Sequence, residues 1–218
     1  MNTYTEENYL KAIYHISKDN NQVVSTNAIA ESMNTKAASV TDMIKKLSEK
    51  ELINYIKYQG VTLTDKGKNT ALNIIRKHRL WEVFLVEKLK FSWDEVHDVA
   101  EELEHIKSDL LINRLDEFLD FPKSDPHGDP IPDKNGKFYI QDLKPLSKLL
   151  IGDQGIVSGV RDHSPVFLKY LAEINLTLGE NIEVLNIIDF DGSFIININK
   201  NKQTVSRDVA KNLLIANG

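Results

Sequence analysis

The stretch HDVAEELEHIKSD, His97 to Asp109, gathers two imidazoles and several carboxylates. At 100° per residue a continuous helix would bring His97, Glu101, Glu104, His105 and Ser108 within one arc of about 100°. Val99, Leu103, Ile106 and Leu110 would fill a separate apolar sector. A solvated helix face ordinarily mixes Glu with Lys at i,i+4. Here the only lysine, Lys107, lies off the arc. Imidazole nitrogen beside carboxylate oxygen is a donor set for a divalent cation. A solvent-facing run of charge is the competing reading, and the rest of the chain must decide between them.

Composition bounds the frame that positions these groups. The 218 residues suffice for one large domain or two to three small ones, and 41% hydrophobic with 27% charged residues is ordinary for a globular chain. No apolar run is long enough to span a membrane. The start MNTYTEENYLK lacks the basic and apolar regions of a signal peptide, so the expectation is a cytoplasmic protein. Zero cysteines excludes disulfides, thiolate metal sites and cysteine nucleophiles. The net charge of -5 conceals an asymmetry. Residues 1–80 hold 12 Lys+Arg against 8 Asp+Glu, and the remainder 15 against 24. A mildly basic part joined to an acidic one suits a DNA-binding module carried on a sensing module.

The hydrophobic pattern gives that basic part a shape. Thr5 can cap a helix through EENYLKAIYHISK, with Leu10, Ile13, Tyr14 and Ile16 inward. STNAIAESM reads as a short second helix, and TKAASVTDMIKKLSEKEL as a third with Val40, Ile44 and Leu47 as its inner stripe. INYIKYQGVTLT reads as a hairpin around Gln59-Gly60. Three helices and a hairpin make the winged helix-turn-helix plan. Lys36, Ala37, Ala38, Ser39, Thr41 and Asp42 then stand at the N-terminal part of the third helix, where such helices meet base edges and phosphates. The two alanines permit close approach to the major groove. Lys45, Lys46 and, in the wing, Lys57 are candidate phosphate contacts. If the arrangement were not a DNA reader, these would be a tight helix start and solvated lysines.

Beyond it a long helix is expected from about Lys68 to Leu89, and Ser92 with Glu95 forms a capping box ahead of the helix bearing the His/Glu run. FPKSDPHGDPIPDKNG holds four of the six prolines and reads as a loop. A short helix is expected around LKPLSKLL. From Gly155 short β-type runs, with Asp191-Gly192 as a turn signal, predict a small SH3-like barrel. The fold class is therefore mainly α with a small β part. The expected domains are a winged helix-turn-helix over 1–72, a helical domain bearing the His/Glu run over 73–142, and the barrel over 150–218.

NYLKAIY, ASVTDMIKKLSEKELI, VTLTDKGK, RKHRLWEVFLVEKL, VHDVAEELEHIKSD and FPKSDPHGDPIP, in this order, resemble the diphtheria-toxin-repressor family, especially its manganese-responsive streptococcal-type members. The resemblance runs nearly end to end and implies a dimeric, metal-activated repressor of operator DNA with a FeoA-like third domain. It implies a primary metal site at Asn8, His78, Glu101, Glu104 and His105. Asn8 and Glu101 stand where iron-responsive relatives carry sulfur, so hard oxygen replaces soft ligands, and Mn2+ is the expected cofactor, with Fe2+ the alternative. It implies a secondary site at Glu82, Asp125, His127 and Asp162, with His97 joining or facing it. Asp125 stands where the streptococcal-type members carry a cysteine. Lys11 departs from two-metal manganese regulators, which carry Glu there, and would repel a second cation.

Each residue also has a plainer reading. His78 alone suits a basic helix face, Asn8 a helix start and Glu82 a surface carboxylate. Asp125 and His127 suit turn positions. Trp81 and Trp93 read as core or dimer-interface aromatics. Two other functions compete with the repressor: a metallohydrolase built on the same cluster, and a metal-independent winged-helix regulator. The chain has no HExxH motif and no phosphate-cradling glycine loop, which tells against the first.

Overall fold

The computed structural model describes residues 2–17, 22–57 and 59–217. The chain divides into two compact units, one of Met1–His78, Glu101–Ile112 and Pro132–Phe138, the other of Arg79–Ala100, Asn113–Ile131 and Tyr139–Gly218.

In the first unit α1 (Tyr4–Ile16) is capped by Thr3, not Thr5. Thr3 and Glu6 exchange side-chain-to-backbone hydrogen bonds, a capping box that satisfies two orphan N–H groups. Ser25 caps α2 (Thr26–Ser32), and α3 (Ala37–Glu49) follows with no side-chain cap at Lys36. Val40, Ile44 and Leu47 are buried against Leu10, Ile13, Ile29 and Leu52, so the expected inner stripe forms the core. Strands β1 (Ile53–Ile56) and β2 (Gly60–Leu63) pair antiparallel, with Ile53 opposite Leu63. Val24 adds a bridge to Val61 through two backbone hydrogen bonds. Gly60, at φ 137°, lies so close to that bridge that a Cβ would fall 2.2 Å from the Val24 carbonyl oxygen. Only glycine fits there.

The long helix α4 (Asp65–Glu87) begins earlier than the expected Lys68, with Asp65 favourably in its first turn. The His/Glu run is not one helix. Helix α5 (Val96–Leu103) ends before Glu104, residues 104–108 form a turn, and α6 (Asp109–Phe118) starts anew with Ser108 Oγ accepting from Leu111 N–H. Ser108 is thus a cap rather than a member of a liganding face. Leu110, expected on the apolar sector, is 72% exposed. Of the expected box before α5, the Ser92 N–H to Glu95 carboxylate half is present.

The second unit contains a six-stranded antiparallel sheet in the order β3-β8-β4-β5-β6-β7. These are β3 (Leu143–Pro145), β4 (Gln154–Val160), β5 (Asn181–Ile187), β6 (Phe194–Ile198), β7 (Asn201–Val205) and β8 (Leu213–Asn217). The sheet curls through bulges at Val157/Gly159 and Val184/Asn186 but its end strands do not pair to close a barrel. Helices α7 (Pro165–Glu173) and α8 (Arg207–Asn212) start on Ser164 and Ser206 caps. Leu168, Leu171, Val184, Ile196 and Leu213 are buried in its core. The helix expected around LKPLSKLL is β3 followed by a 3-10 turn over Leu146–Lys148. Pro145 carries no N–H, which suits an edge strand and disfavours a helix interior.

Candidate metal centres and nucleic-acid interface

In the first unit α1 delivers its polar face to the turn after α5. Glu7 Oε2 lies 2.6 Å from His105 Nδ1. A carboxylate only accepts, so Nδ1 donates and Nε2 is the nitrogen left facing the cluster. That Nε2 lies 3.8 Å from Glu104 Oε1. Tyr4 stacks on the same imidazole with ring centroids 4.5 Å apart. Glu104 is fully buried, with His78 Nδ1 donating to its Oε2 at 2.7 Å. Burial pushes the Glu104 carboxyl up, but hydrogen bonds from His78 and Lys11 and the Lys11 charge hold it below its ordinary value. Lys77 Nζ donates to the Ile106 carbonyl and pins the turn to α4.

Of the expected primary set, His78 and His105 lie against Glu104 directly and Glu101 reaches it through Lys11, with two additions. Glu7 orients His105, a partner that no spacing in the sequence reveals across 98 positions. Lys11 donates to Glu104 Oε1 and Oε2 at 2.7 and 2.8 Å and to Glu101 Oε1 at 3.3 Å, an ion pair rather than a bystander. Asn8 Oδ1 is buried and has no hydrogen-bond partner among the described residues. A buried acceptor left unsatisfied is costly, and a cation is a natural partner for it. An amide oxygen, two carboxylates and imidazole nitrogens are together the donor chemistry of a Mn2+ or Fe2+ site.

The second unit holds a tighter group. One ligand atom each from Glu82, Asp125 and His127 lie within 4.8 Å of one another, and all three residues are buried. His127 Nε2 faces the Trp93 carbonyl oxygen at 2.8 Å. A carbonyl only accepts, so Nε2 donates and Nδ1 is the nitrogen that faces Glu82 Oε1 at 3.7 Å and Asp125 Oδ1 at 4.0 Å. The ring stacks between Trp93 and His163. Trp93, read as a core aromatic, also orients a candidate ligand through its backbone.

Asp125 closes the proline loop while facing the cluster. Its Oδ1 accepts from the His127 and Asp129 amides at 2.8 and 3.0 Å, so the turn reading and the ligand reading both describe it. Burial first, then the charges of Glu82 and Asp129, raise its carboxyl to about 7 against the opposing Arg79 and His127. Arg79 Nε lies 3.4 Å from Asp125 Oδ2 and its Nη2 3.0 Å from Asp129. Gly128, at φ 90°, lets the loop lie on β4: a Cβ there would meet the Ser158 carbonyl oxygen at 2.2 Å. His127 O in turn accepts from Val160 N–H at 2.9 Å. His97 Nδ1 stands 3.9 Å from Glu82 Oε1 and its side chain is 63% exposed, at the rim. Asp162 does not join the group. Its Oδ1 accepts from Ser164 N–H at 2.8 Å and shapes the turn into α7.

On the third helix Lys36, Ala37, Ala38, Ser39, Thr41, Asp42, Lys45 and Lys46 are all exposed, opposite the buried Val40, Ile44 and Leu47. Thr41 Oγ1 donates back to the Ala37 carbonyl and Lys45 pairs with Asp42 at 3.5 Å, so these side chains are held along the helix. Lys57 is exposed at the wing.

Known proteins give this arrangement a family. Residues 1–61 match the iron dependent repressor N-terminal DNA binding domain, 64–133 the iron dependent repressor metal binding and dimerisation domain, and 144–217 the FeoA domain. An uncharacterized HTH-type transcriptional regulator of Methanocaldococcus jannaschii is 40% identical over 114 residues, 52% of this chain and 91% of that protein. The HTH-type transcriptional regulator MntR of Oceanobacillus iheyensis is 32% identical over 125 residues, 57% of this chain and 84% of that protein. A manganese-dependent transcriptional repressor solved in complex with manganese is 36% identical, with a TM-score of 0.80 over 98% of this chain and 100% of that chain. No helix among the described residues is long and apolar enough to cross a membrane. A winged reader, imidazole–carboxylate clusters and a curled sheet, matched along the chain in that order, place this protein in the diphtheria-toxin (iron-dependent) repressor family of metal-dependent transcriptional regulators.

Proposed function

We propose that the chain represses transcription by binding operator DNA as a homodimer when loaded with Mn2+, or alternatively Fe2+, through Asn8, His78, Glu101, Glu104 and His105. The observation that carries this reading is the attachment of α1 to the turn after α5, Glu7 to His105 and Lys11 to Glu104, on the same helix whose buried Asn8 oxygen has no hydrogen-bond partner among the described residues. Helix α1 belongs to the core that supports α3. Ligands drawn from α1, α4 and the 104–105 turn therefore link the placement of the DNA reader to the sensor. The bound ion supplies charge neutralisation and a shared Lewis acid for donors that no single helix satisfies. It shifts the equilibrium only so far as one arrangement of α1 binds it better than another.

Glu82, Asp125 and His127, with His97 at the rim, form the secondary site in this reading, and Asp162 serves the α7 turn. The exposed α3 residues read the major groove while Lys45, Lys46 and Lys57 engage phosphates. Leu110, Leu111 and Phe118 give α6 an exposed apolar surface suited to the partner subunit. Fluorescence anisotropy on operator DNA, titrated with Mn2+ and reversed with chelator, tests the proposal. Glu104→Ala and His105→Ala should abolish the metal response while sedimentation still shows a folded dimer. Variants that respond as the parent does would return the cluster to an ordinary ion-pair network.

A further inference from the structure

The carboxylates at the primary cluster already hold a cation, and it belongs to the chain. Lys11 Nζ reaches both oxygens of Glu104 and one of Glu101, at 2.7, 2.8 and 3.3 Å. An ammonium has three N–H groups, and these three acceptors engage all of them. Glu104 is equally committed. A carboxylate offers roughly four lone-pair directions, of which Lys11 takes one on each oxygen and His78 Nδ1–H a further one on Oε2. The side chains are 14% exposed for Lys11 and 0% for Glu104, so water screens this pair little.

A divalent cation needs the same lone pairs at roughly 2.0–2.6 Å. It must compete for Glu104 with an ammonium that sits on both oxygens at close range. The geometry of the two clusters agrees. Glu82, Asp125 and His127 close to within 4.8 Å of one another, whereas Glu101, Glu104 and His105 form no such group among the described residues. Their carboxylates close on Lys11 instead.

We propose that Lys11 is a tethered competitor of the metal at the primary cluster, holding Glu104 and Glu101 in the metal-free chain and setting the cation concentration at which the repressor loads. This rests on the primary-site reading above. The competitor is displaceable because its charge rides on a flexible four-carbon stem. With Glu7, Glu101 and Glu104 counted against Lys11, the carboxylate and ammonium charges sum to two negative charges. Swinging the ammonium away exposes three, which one divalent ion then meets. Lys11 thus stabilises the metal-free state and weakens the apparent affinity of the loaded one, two effects of opposite sign from one side chain.

The test uses the full chain in an Asp125→Ala background, so that calorimetric titration with Mn2+ reports the primary cluster. Lys11→Met keeps the stem and removes the charge. It should lower the metal-free Tm and tighten the Kd for Mn2+ by about tenfold or more, because a unit charge near the ion at a part-buried site opposes it strongly. Lys11→Arg, which keeps a cation, should stay nearer the parent in both readouts. A lysine that merely braces the fold would lower Tm and leave Kd unchanged or weaker, and that outcome overturns the proposal. Lys11→Gln replaces Lys11→Met if the latter does not fold. Glu104→Gln separates the two levels: if it binds Mn2+ like the parent, the site reading and the Lys11 proposal both fall. If it loses Mn2+ while Lys11→Met fails to tighten it, only the Lys11 proposal falls.

Discussion

His105 Nδ1 donates to Glu7 Oε2 across 2.6 Å, joining the first helix to the turn that follows α5. The bond fixes the tautomer, so the nitrogen left to act as a ligand is the one beside Glu104. Glu7→Ala should weaken Mn2+ binding at the primary cluster about 10–100-fold, the usual consequence of losing a group that orients a liganding histidine. Glu7→Gln, whose amide oxygen still accepts, should lose less. Calorimetric titration of both against the parent checks the order. Equal affinities in all three would mean that the imidazole needs no such anchor.

Gly128 serves the other cluster. Its positive φ and the 2.2 Å approach to the Ser158 carbonyl oxygen leave no room for a side chain between His127 and Asp129. Gly128→Ala should cost about 2 kcal/mol or more of stability, from strain in the left-handed region and the loop's displacement from β4. It should also lower the Mn2+ bound at the cluster of Glu82, Asp125 and His127. Urea denaturation and equilibrium dialysis measure the two losses. A variant with parent stability and stoichiometry would show that the loop does not depend on this contact.

On the DNA side the exposed residues divide by role. Lys36→Ala, at the start of α3, should cost about 1–3 kcal/mol on the matched operator and little on random duplex, if its side chain reads a base edge. Lys57→Ala should weaken binding to all sequences alike and reduce the slope of log K against log salt by about 1. Anisotropy across a salt series on both duplexes distinguishes them. Binding without salt dependence on either duplex would show that these lysines make no phosphate contacts.

Much of this architecture is legible in the residues, for physical reasons. Val40, Ile44 and Leu47 repeat at helical spacing and become the inner face of α3 because burial drives both the pattern and the packing. The alternating runs of β4 to β7 announce themselves likewise. The break between α5 and α6 does not. No glycine or proline marks residues 103–109, and a Ser108 cap is quiet beside a continuous helical period. The arc that a continuous helix would give Glu104 and His105 does not exist, yet both stand together in the turn. Glu7 and Lys11 escape for another reason. Their partners lie 90 or more positions away, and only tertiary structure can pair them. Asp162 lies outside the Glu82, Asp125 and His127 group, and its carboxylate shapes an Asx turn with a backbone N–H two residues on.

Metal choice follows from what the primary cluster lacks. With no cysteine in the chain, and Asn8 and Glu101 as the proposed donors, it would present oxygen and imidazole alone. Affinity at such sites still rises along Mn2+ < Fe2+ < Co2+ < Ni2+, so preference for manganese must come from geometry and supply. Mn2+ is therefore expected to activate operator binding at least as fully as Fe2+, even where Fe2+ binds more tightly. Glu101 is the position at which to change this, because its carboxylate is 45% exposed and shares Lys11 with the buried Glu104. Glu101→Cys should shift activation towards softer ions such as Co2+ while leaving the Glu104–His78 bond in place. Anaerobic anisotropy on one operator, titrated separately with Mn2+, Fe2+ and Co2+, compares parent and variant. Activation of the parent by Fe2+ but not Mn2+ would show that ligand hardness does not govern the response.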